Sequence, residues 1–200
     1  MIKNIVFDFG GVLVTYDFYR FFFPHFKSHE KTVAFMKEVL TKEVGDEMDR
    51  EEIPFSLYME QLKRQWPHYA EALDMMDKDY FHIVTGEMPG MNELMKKLKS
   101  RGYRLLGLSN WSSKVYEVME KYPIFSLLDG SLISTEVKQL KPEADIYQTF
   151  LKRFNAKAEE CIFIDDKPIN ISGCKKVGMQ GILFQSTEQL EEELKRMAGL

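Results

Sequence analysis

The sequence predicts an α/β fold: a parallel sheet with helices on both faces and an α-helical insertion near the start of the chain. Three observations carry that prediction. An apolar, β-branched run, Ile5-Val6-Phe7, stops at the carboxylate Asp8, and Gly10 and Gly11 follow almost at once. From Tyr16 to about Tyr80 the chain is rich in aromatic, Met, Lys and Glu residues and has no strand-like run. From Pro89 onward strand and helix patterns alternate strictly, the mark of parallel strands joined by helical crossovers.

The 200 residues suit one core domain carrying an insertion. Residues 1–15 and 85–200 form the predicted core, and 16–84 the helical insertion. Within the insertion Ala34, Met36, Val39 and Leu40 approximate one helical stripe, and Leu57, Met59, Leu62 and Trp66 another. Thr85-Gly86-Glu87-Met88-Pro89-Gly90 supplies turn chemistry to close it. A helix over 91–100 is then expected to end at Gly102, and Tyr103 to Leu108 reads as a buried strand stopping at Ser109-Asn110. Further helices are expected over 113–121, 143–154, just before Val177, and 187–197. Strands are expected over 130–134, 161–164 and 181–184.

Composition narrows the function. Apolar content of 44% and charged content of 29% are ordinary globular values, and a net charge of −4 offers no basic footprint for nucleic acid. No apolar stretch reaches membrane-spanning length and no secretory signal pattern opens the chain, so a cytoplasmic protein with no membrane partner is expected. Cys161 and Cys174 have neither metal spacing nor the density of a secreted scaffold and are read as reduced core residues.

Three predicted strands stop at groups that phosphate chemistry uses: Asp8, then Ser109-Asn110, then Asp165-Asp166. Lys141 lies in a loop just before Pro142 and a helix. Parallel strands point their C-terminal ends the same way, so these scattered groups are placed to meet at one edge, where open α/β sheets bind ligands. Taken singly each has a plain alternative: Asp8 and the Asp165-Asp166 pair as turn caps, Ser109-Asn110 as a helix start, Lys141 as a solvated side chain. Taken together they make a site. A carboxylate such as Asp8 can attack phosphorus as a nucleophile, and Asp8, Asp166 and a main-chain carbonyl near Gly10 suit Mg²⁺, a hard ion that takes oxygen ligands. Lys141 can neutralise charge on the transferring group, while Ser109 and N–H groups entering the next helix can hold its oxygens.

The order of these motifs resembles the haloacid dehalogenase-like hydrolase superfamily over nearly the whole chain. Its pieces are Val6-Phe7-Asp8-Phe9-Gly10-Gly11-Val12-Leu13, then Leu108-Ser109-Asn110, then Lys141-Pro142-Glu143 with Ile146-Tyr147, and Phe163-Ile164-Asp165-Asp166 with Asn170-Ile171. The resemblance implies a Rossmann-like core with a helical cap inserted after the first motif. It also implies Asp8 as nucleophile, Ser109, Asn110 and Lys141 as phosphate-handling residues, and Asp8, the Gly10 carbonyl and Asp166 as Mg²⁺ ligands. The activity implied is a Mg²⁺-dependent phosphatase acting on a small phosphate ester, for instance a sugar phosphate.

One position departs from the commonest family pattern. Most phosphatases of the superfamily carry a second aspartate, an acid and base for the leaving group and water, where this chain has Gly10. In that respect the motif is similar to the glucose-1-phosphate phosphatase branch. Metal-independent dehalogenases also lack the second aspartate, and a non-catalytic binding protein that keeps the fold is a third reading. Without an acid at Gly10 the rate should depend steeply on the leaving group, unless a cap residue or a bound water supplies the proton. His25, among the aromatics of Phe22-Phe23-Pro24-His25-Phe26, is either a proton source or a packed side chain, and Trp111 either lines the pocket or, as the simpler expectation, packs behind it.

Overall fold

The computed structural model describes residues 1–199. In chain order its strands are β1 (Asn4–Phe7), β2 (Val14–Tyr16), β3 (Val84–Glu87), β4 (Arg104–Ser109), β5 (Gly130–Ile133), β6 (Cys161–Asp165) and β7 (Gln180–Leu183). Five of them form one sheet in the order β5-β4-β1-β6-β7 with every pairing parallel. The order follows from the chain path: β4 and β5 extend the sheet on one side of β1, and the chain then returns to add β6 and β7 on the other. That reversal makes β1 the strand beside which a crevice opens.

Helices α1 (Phe18–Phe26), α2 (His29–Glu38), α3 (Lys42–Arg50), α4 (Phe55–Gln65) and α5 (Ala70–Lys78) lie between β2 and β3. After β3 come α6 (Met91–Ser100), α7 (Val115–Lys121), α8 (Ser134–Val137), α9 (Ala144–Arg153), α10 (Pro168–Lys176) and α11 (Thr187–Ala198). Among the described residues no helix is long and apolar enough to cross a membrane.

Alternation along the strands sorts the core into two layers. Ile5 and Phe7 of β1 and Ile162 and Ile164 of β6 pack into a cluster with Leu94, Val118 and Leu190 from α6, α7 and α11. Val6 and Phe163, one residue out of phase, face the opposite layer with Ile146, Tyr147 and Phe150 of α9. Both cysteines are buried free thiols, Cys161 in β6 and Cys174 in α10. Burial pushes the two thiols up, to about 11 and about 12, so neither is a nucleophile near neutral pH.

The insertion departs from the sequence reading in two ways. It opens and closes on a two-stranded antiparallel ribbon, β2 with β3, where only a turn was expected. The ribbon strands are three and four residues long and Gly86 interrupts the second, which leaves too little alternation to read as strand. The buried faces also differ. On α4 they are Phe55, Met59 and Leu62, a true i, i+4, i+7 line, while Leu57 is exposed; on α2 they are Thr32 and Phe35, with Val39 just beyond. Phe35 anchors an aromatic cluster with Phe22 at 4.7 Å, Tyr69 at 5.1 Å and Phe26 at 5.4 Å between ring centroids. The first three of the insertion's helices start on capping side chains: Asp17 accepts from the Arg20 N–H, Ser28 from Lys31 and Thr41 from Val44.

Three consecutive residues at the end of α3 strap the insertion to the core. The Asp49 carbonyl accepts from the Ser134 hydroxyl, and Arg50 donates to the Lys138 carbonyl at 2.8 Å and to Glu143 at 2.9 Å. Buried Glu51 accepts from the Ser113 N–H and hydroxyl, both at 2.7 Å, from the Phe55 N–H at 3.1 Å and from the Thr135 hydroxyl. Burial opposes its charge, but these bonds outweigh burial and hold the carboxyl below the usual range. A carboxylate of this kind stabilises the fold above its unfolded pKa of about 4.3, and the contribution is lost as pH falls through the lower folded value. Glu51→Gln is therefore expected to destabilise by about 1–3 kcal/mol at pH 7. The gap in thermal melts between wild type and variant should narrow below roughly pH 4; a gap that is absent at pH 7 would remove the strap from the stability of the fold.

Candidate active site

At the C-terminal edge of the sheet, β4, β1 and β6 stand side by side; β4 ends at Ser109, β6 at Asp165, and Asp8 directly follows the last residue of β1. Lys141 reaches the same point from the loop after α8, across a cis peptide bond to Pro142. The convergence expected from the strand ends is thus a structural fact, and its bonding is specific to single atoms.

Asp8 is buried, and three donors meet on one of its oxygens. Its Oδ1 accepts from the Phe9 N–H at 2.7 Å, the Ser109 hydroxyl at 2.9 Å and the Lys141 ammonium at 2.9 Å. No such donor, among the described residues, reaches Oδ2. The carboxylate is therefore fixed in rotation with one oxygen presented to the cavity. Burial pushes its carboxyl up to about 7, against the opposing charge of Lys141.

Lys141 is also buried and spends all three of its N–H donors inside the protein, on Asp8, on Asp165 at 2.7 Å and on the Leu108 carbonyl at 3.2 Å. Its two carboxylate partners overcome the burial that disfavours its charge and raise its pKa. It acts on the cavity through charge. Asn110, expected to contact substrate, lines the cavity, and its amide is engaged with Lys141: Oδ1 accepts from the Lys141 N–H at 2.9 Å and Nδ2 donates to the Lys141 carbonyl at 3.0 Å. That pair of bonds positions the lysine.

Asp165 and Asp166 differ although adjacent. Asp165 accepts from Lys141, from the Lys167 N–H at 2.8 Å and from Asn170 Nδ2 at 3.0 Å on both oxygens, so its lone pairs are filled. Burial opposes ionisation there, but Lys141 and these hydrogen bonds hold the carboxyl below its usual range. Asp166 Oδ1 is buried with no partner among the described residues. Burial and the charge of Asp165 raise its pKa, leaving an acceptor that asks for a cation. Carboxylate oxygens of Asp8, Asp165 and Asp166 all lie within 4.8 Å of one another. With Asp165 saturated, the buried and unpartnered Asp166 Oδ1 is the donor best suited to Mg²⁺, with the Asp8 carboxylate beside it, and the oxygen chemistry of the set fits that ion. Gly11 makes this approach possible: its φ is +80°, and a Cβ there would stand 2.7 Å from Asp166 Oδ2.

Above this floor lies an open-mouthed cavity of about 290 Å³ walled on one side by the insertion. Its apolar wall is built from Phe18, Met36, Leu40, Met48 and Ile83, with Tyr16, Tyr80 and Trp111 completing an aromatic side. Trp111 thus lines the cavity, where the simpler expectation placed it behind the site. Gly10 is also on the wall, at a φ open to any residue, but a Cβ there would stand 3.1 Å from the Tyr16 ring. The place of a second carboxylate is occupied by an aromatic face. His25 is not among the lining residues; it packs edge-on to Phe26 at 4.7 Å.

Sequence reasoning missed Asn170, Lys167 and Asp49 as site residues. Asn170 stood within the fourth motif, and its place one turn into α10 after Asp165 was the available signal. Lys167 and Asp49 line the cavity, and nothing in their local patterns marked them.

Comparison with known proteins identifies the family and the fold. Residues 2–178 match the family described as haloacid dehalogenase-like hydrolase. A sesquiterpene phosphatase of Aspergillus oryzae is 24% identical over 201 residues, 98% of this chain and 97% of that protein. A D-ribitol-5-phosphate phosphatase of Bacteroides thetaiotaomicron is 25% identical over 218 residues, 97% of each. A Bacteroides thetaiotaomicron enzyme of the same superfamily, solved with magnesium and inorganic phosphate, superposes with a TM-score of 0.73 at 19% identity, covering 94% of this chain and 96% of that one. At that identity the superposition speaks for the fold.

Proposed function

Starting from a chain that belongs to the haloacid dehalogenase-like hydrolases, we propose that it is a Mg²⁺-dependent phosphatase of small phosphate monoesters. The observation that carries the reading is the nearness of two unengaged carboxylate oxygens, Asp8 Oδ2 and the buried Asp166 Oδ1, at a cavity lined by Asp8 and Lys141. In this reading Asp8 Oδ2 attacks phosphorus, the ester oxygen departs, and water later cleaves the aspartyl phosphate. Ser109 and main-chain N–H groups ahead of α7 hold phosphate oxygens, and Lys141 offsets their charge. Asp8, the Gly10 carbonyl and Asp166 would hold Mg²⁺, which when bound screens the phosphate from the carboxylates and polarises it.

The helical insertion, residues 16–84, serves as the cap over a core formed by 1–15 and 85–200. Its apolar and aromatic wall favours a neutral organic group on the ester. Lys141 and Lys167 are the only basic residues among the lining, enough for one phosphate. A sugar phosphate or a terpenoid phosphate, the substrate types that name its relatives, satisfies these terms. The similarity of the first motif to the glucose-1-phosphate phosphatase branch puts sugar 1-phosphates first on the panel.

Phosphate release from a panel of esters, with Mg²⁺ and with excess chelator, tests the reading. Release that requires Mg²⁺ and returns on its restoration is expected. Halide release from 2-haloacids undiminished by chelator would replace the phosphatase with a dehalogenase, and no turnover of any ester would leave a binding protein.

A further inference from the structure

The phosphatase reading leaves the leaving group without a proton, because Gly10 stands where an acid is usual. We propose that Asp49, carried on the cap helix α3, is the acid that protonates the departing oxygen and the base that later activates water; the assignment rests on the phosphatase reading.

Asp49 lines the same cavity as Asp8 and Gly10. Its carboxyl makes no hydrogen bond or ion pair among the described residues, so both oxygens are available to a ligand. Its backbone, in contrast, is fixed. The Asp49 carbonyl accepts from the Ser134 hydroxyl, which in turn accepts from the Trp111 N–H at 2.9 Å, one residue beyond the second motif. Arg50 and Glu51 fasten the next two residues to the core. A cap segment strapped this firmly beside the reacting groups is placed for chemistry, which needs fixed distances, more than for adaptable recognition.

The other titratable groups of the cavity fit the role less well. Tyr80 is pushed far above the phenol range by burial, and Tyr16 is raised too. Lys141 has no free donor, and Lys167 is a cation suited to phosphate. Asp49 is facing Lys167, Lys141 and Asp8 from the core, Asp46 from its own helix, and Tyr16 and Tyr80 from the ribbon and the end of the cap. Burial pushes its carboxyl up to about 7, with Lys167 opposing. An acid with this pKa gives and takes a proton with equal ease at neutral pH.

The balance of the two steps is complete. As Asp8 Oδ2 forms its bond to phosphorus, the bond from phosphorus to the ester oxygen breaks and that oxygen takes the Asp49 proton, releasing an alcohol. Water then attacks phosphorus and returns a proton to Asp49, the bond to Asp8 breaks, and inorganic phosphate leaves.

The test is the dependence of kcat/KM on leaving-group pKa for aryl and alkyl phosphates at saturating Mg²⁺, with burst kinetics on 4-nitrophenyl phosphate. Wild type should show a shallow slope. In Asp49→Asn the slope should steepen, alkyl phosphates losing about 10²–10⁴-fold, while 4-nitrophenyl phosphate gives a stoichiometric burst followed by slow turnover. Asp49→Glu, which keeps the acid, should recover activity toward alkyl esters. A steep wild-type slope, or an equal loss on every ester in Asp49→Asn, overturns the assignment. If Asp8→Asn is inactive and Asp49→Asn is not steeper than wild type, only Asp49 falls; if Asp8→Asn stays active, the phosphatase reading falls with it.

Discussion

Asp8→Asn is expected to lower phosphate release by roughly 10⁴- to 10⁶-fold, the scale on which loss of a catalytic nucleophile is felt. The amide keeps the shape of the carboxylate and can still accept from Ser109 and Phe9 through one oxygen. It removes the charge and the attacking electron pair. Because burial already pushes the Asp8 carboxyl up to about 7, the charge is held at a cost to the fold, and its removal should leave the melting temperature unchanged or higher. Steady-state assays with thermal melts on the same preparation decide the point. Wild-type turnover in the variant would rule out Asp8 as the nucleophile.

Lys141→Met is expected to give the largest loss of stability from one substitution at the site. The lysine is fully enclosed, 5% exposed, and it lies between two carboxylates at 2.7 and 2.9 Å. Methionine fills similar volume but leaves Asp8 and Asp165 buried against each other without a counter-charge. Removing one partner of a buried ionic cluster costs about 3–5 kcal/mol, which for a chain of this size is a fall in Tm of roughly 6–20 °C. Activity should vanish as well. Adding Asp8→Asn to Lys141→Met should return part of the lost stability, because the two changes act on one charge cluster and are not additive. A single variant melting within about 2 °C of wild type would show that the cluster is solvated and the charge balance unimportant.

The sheet was legible in the sequence because its strands are short apolar runs that stop at polar residues and helices separate them. The helix at Met91–Ser100 matches its predicted bounds, and the strands are displaced by no more than a residue at most ends. The positions of Asp8, Lys141 and the Asp165-Asp166 pair could be read for the same reason: each lies at a strand end or ahead of a helix, places that local pattern exposes. Division of labour between Asp165 and Asp166 could not be read. It depends on Asn170, Lys167 and Lys141 all converging on one carboxylate, which is a property of packing. Asp49 was invisible for a stronger reason: its meaning comes from Ser134 and Trp111, far along the chain, and within α3 it is one more acidic residue of a polar helix.

The paired strands Val14–Tyr16 and Val84–Glu87 have a consequence for how such a protein can diversify. The chain leaves the sheet along one strand and comes back along its neighbour, about 5 Å away. To the catalytic sheet, everything between them is equivalent to a single hairpin loop. Closure entropy rises only with the logarithm of loop length, so helices can be added, lost or exchanged there without moving Asp8 relative to Lys141. The ribbon is thus a graft point, through which selection can rewrite what the enzyme recognises and leave how it reacts untouched, subject to one condition: any replacement must again carry an acid in the place of Asp49 on a segment that docks on Ser113, Ser134 and Thr135.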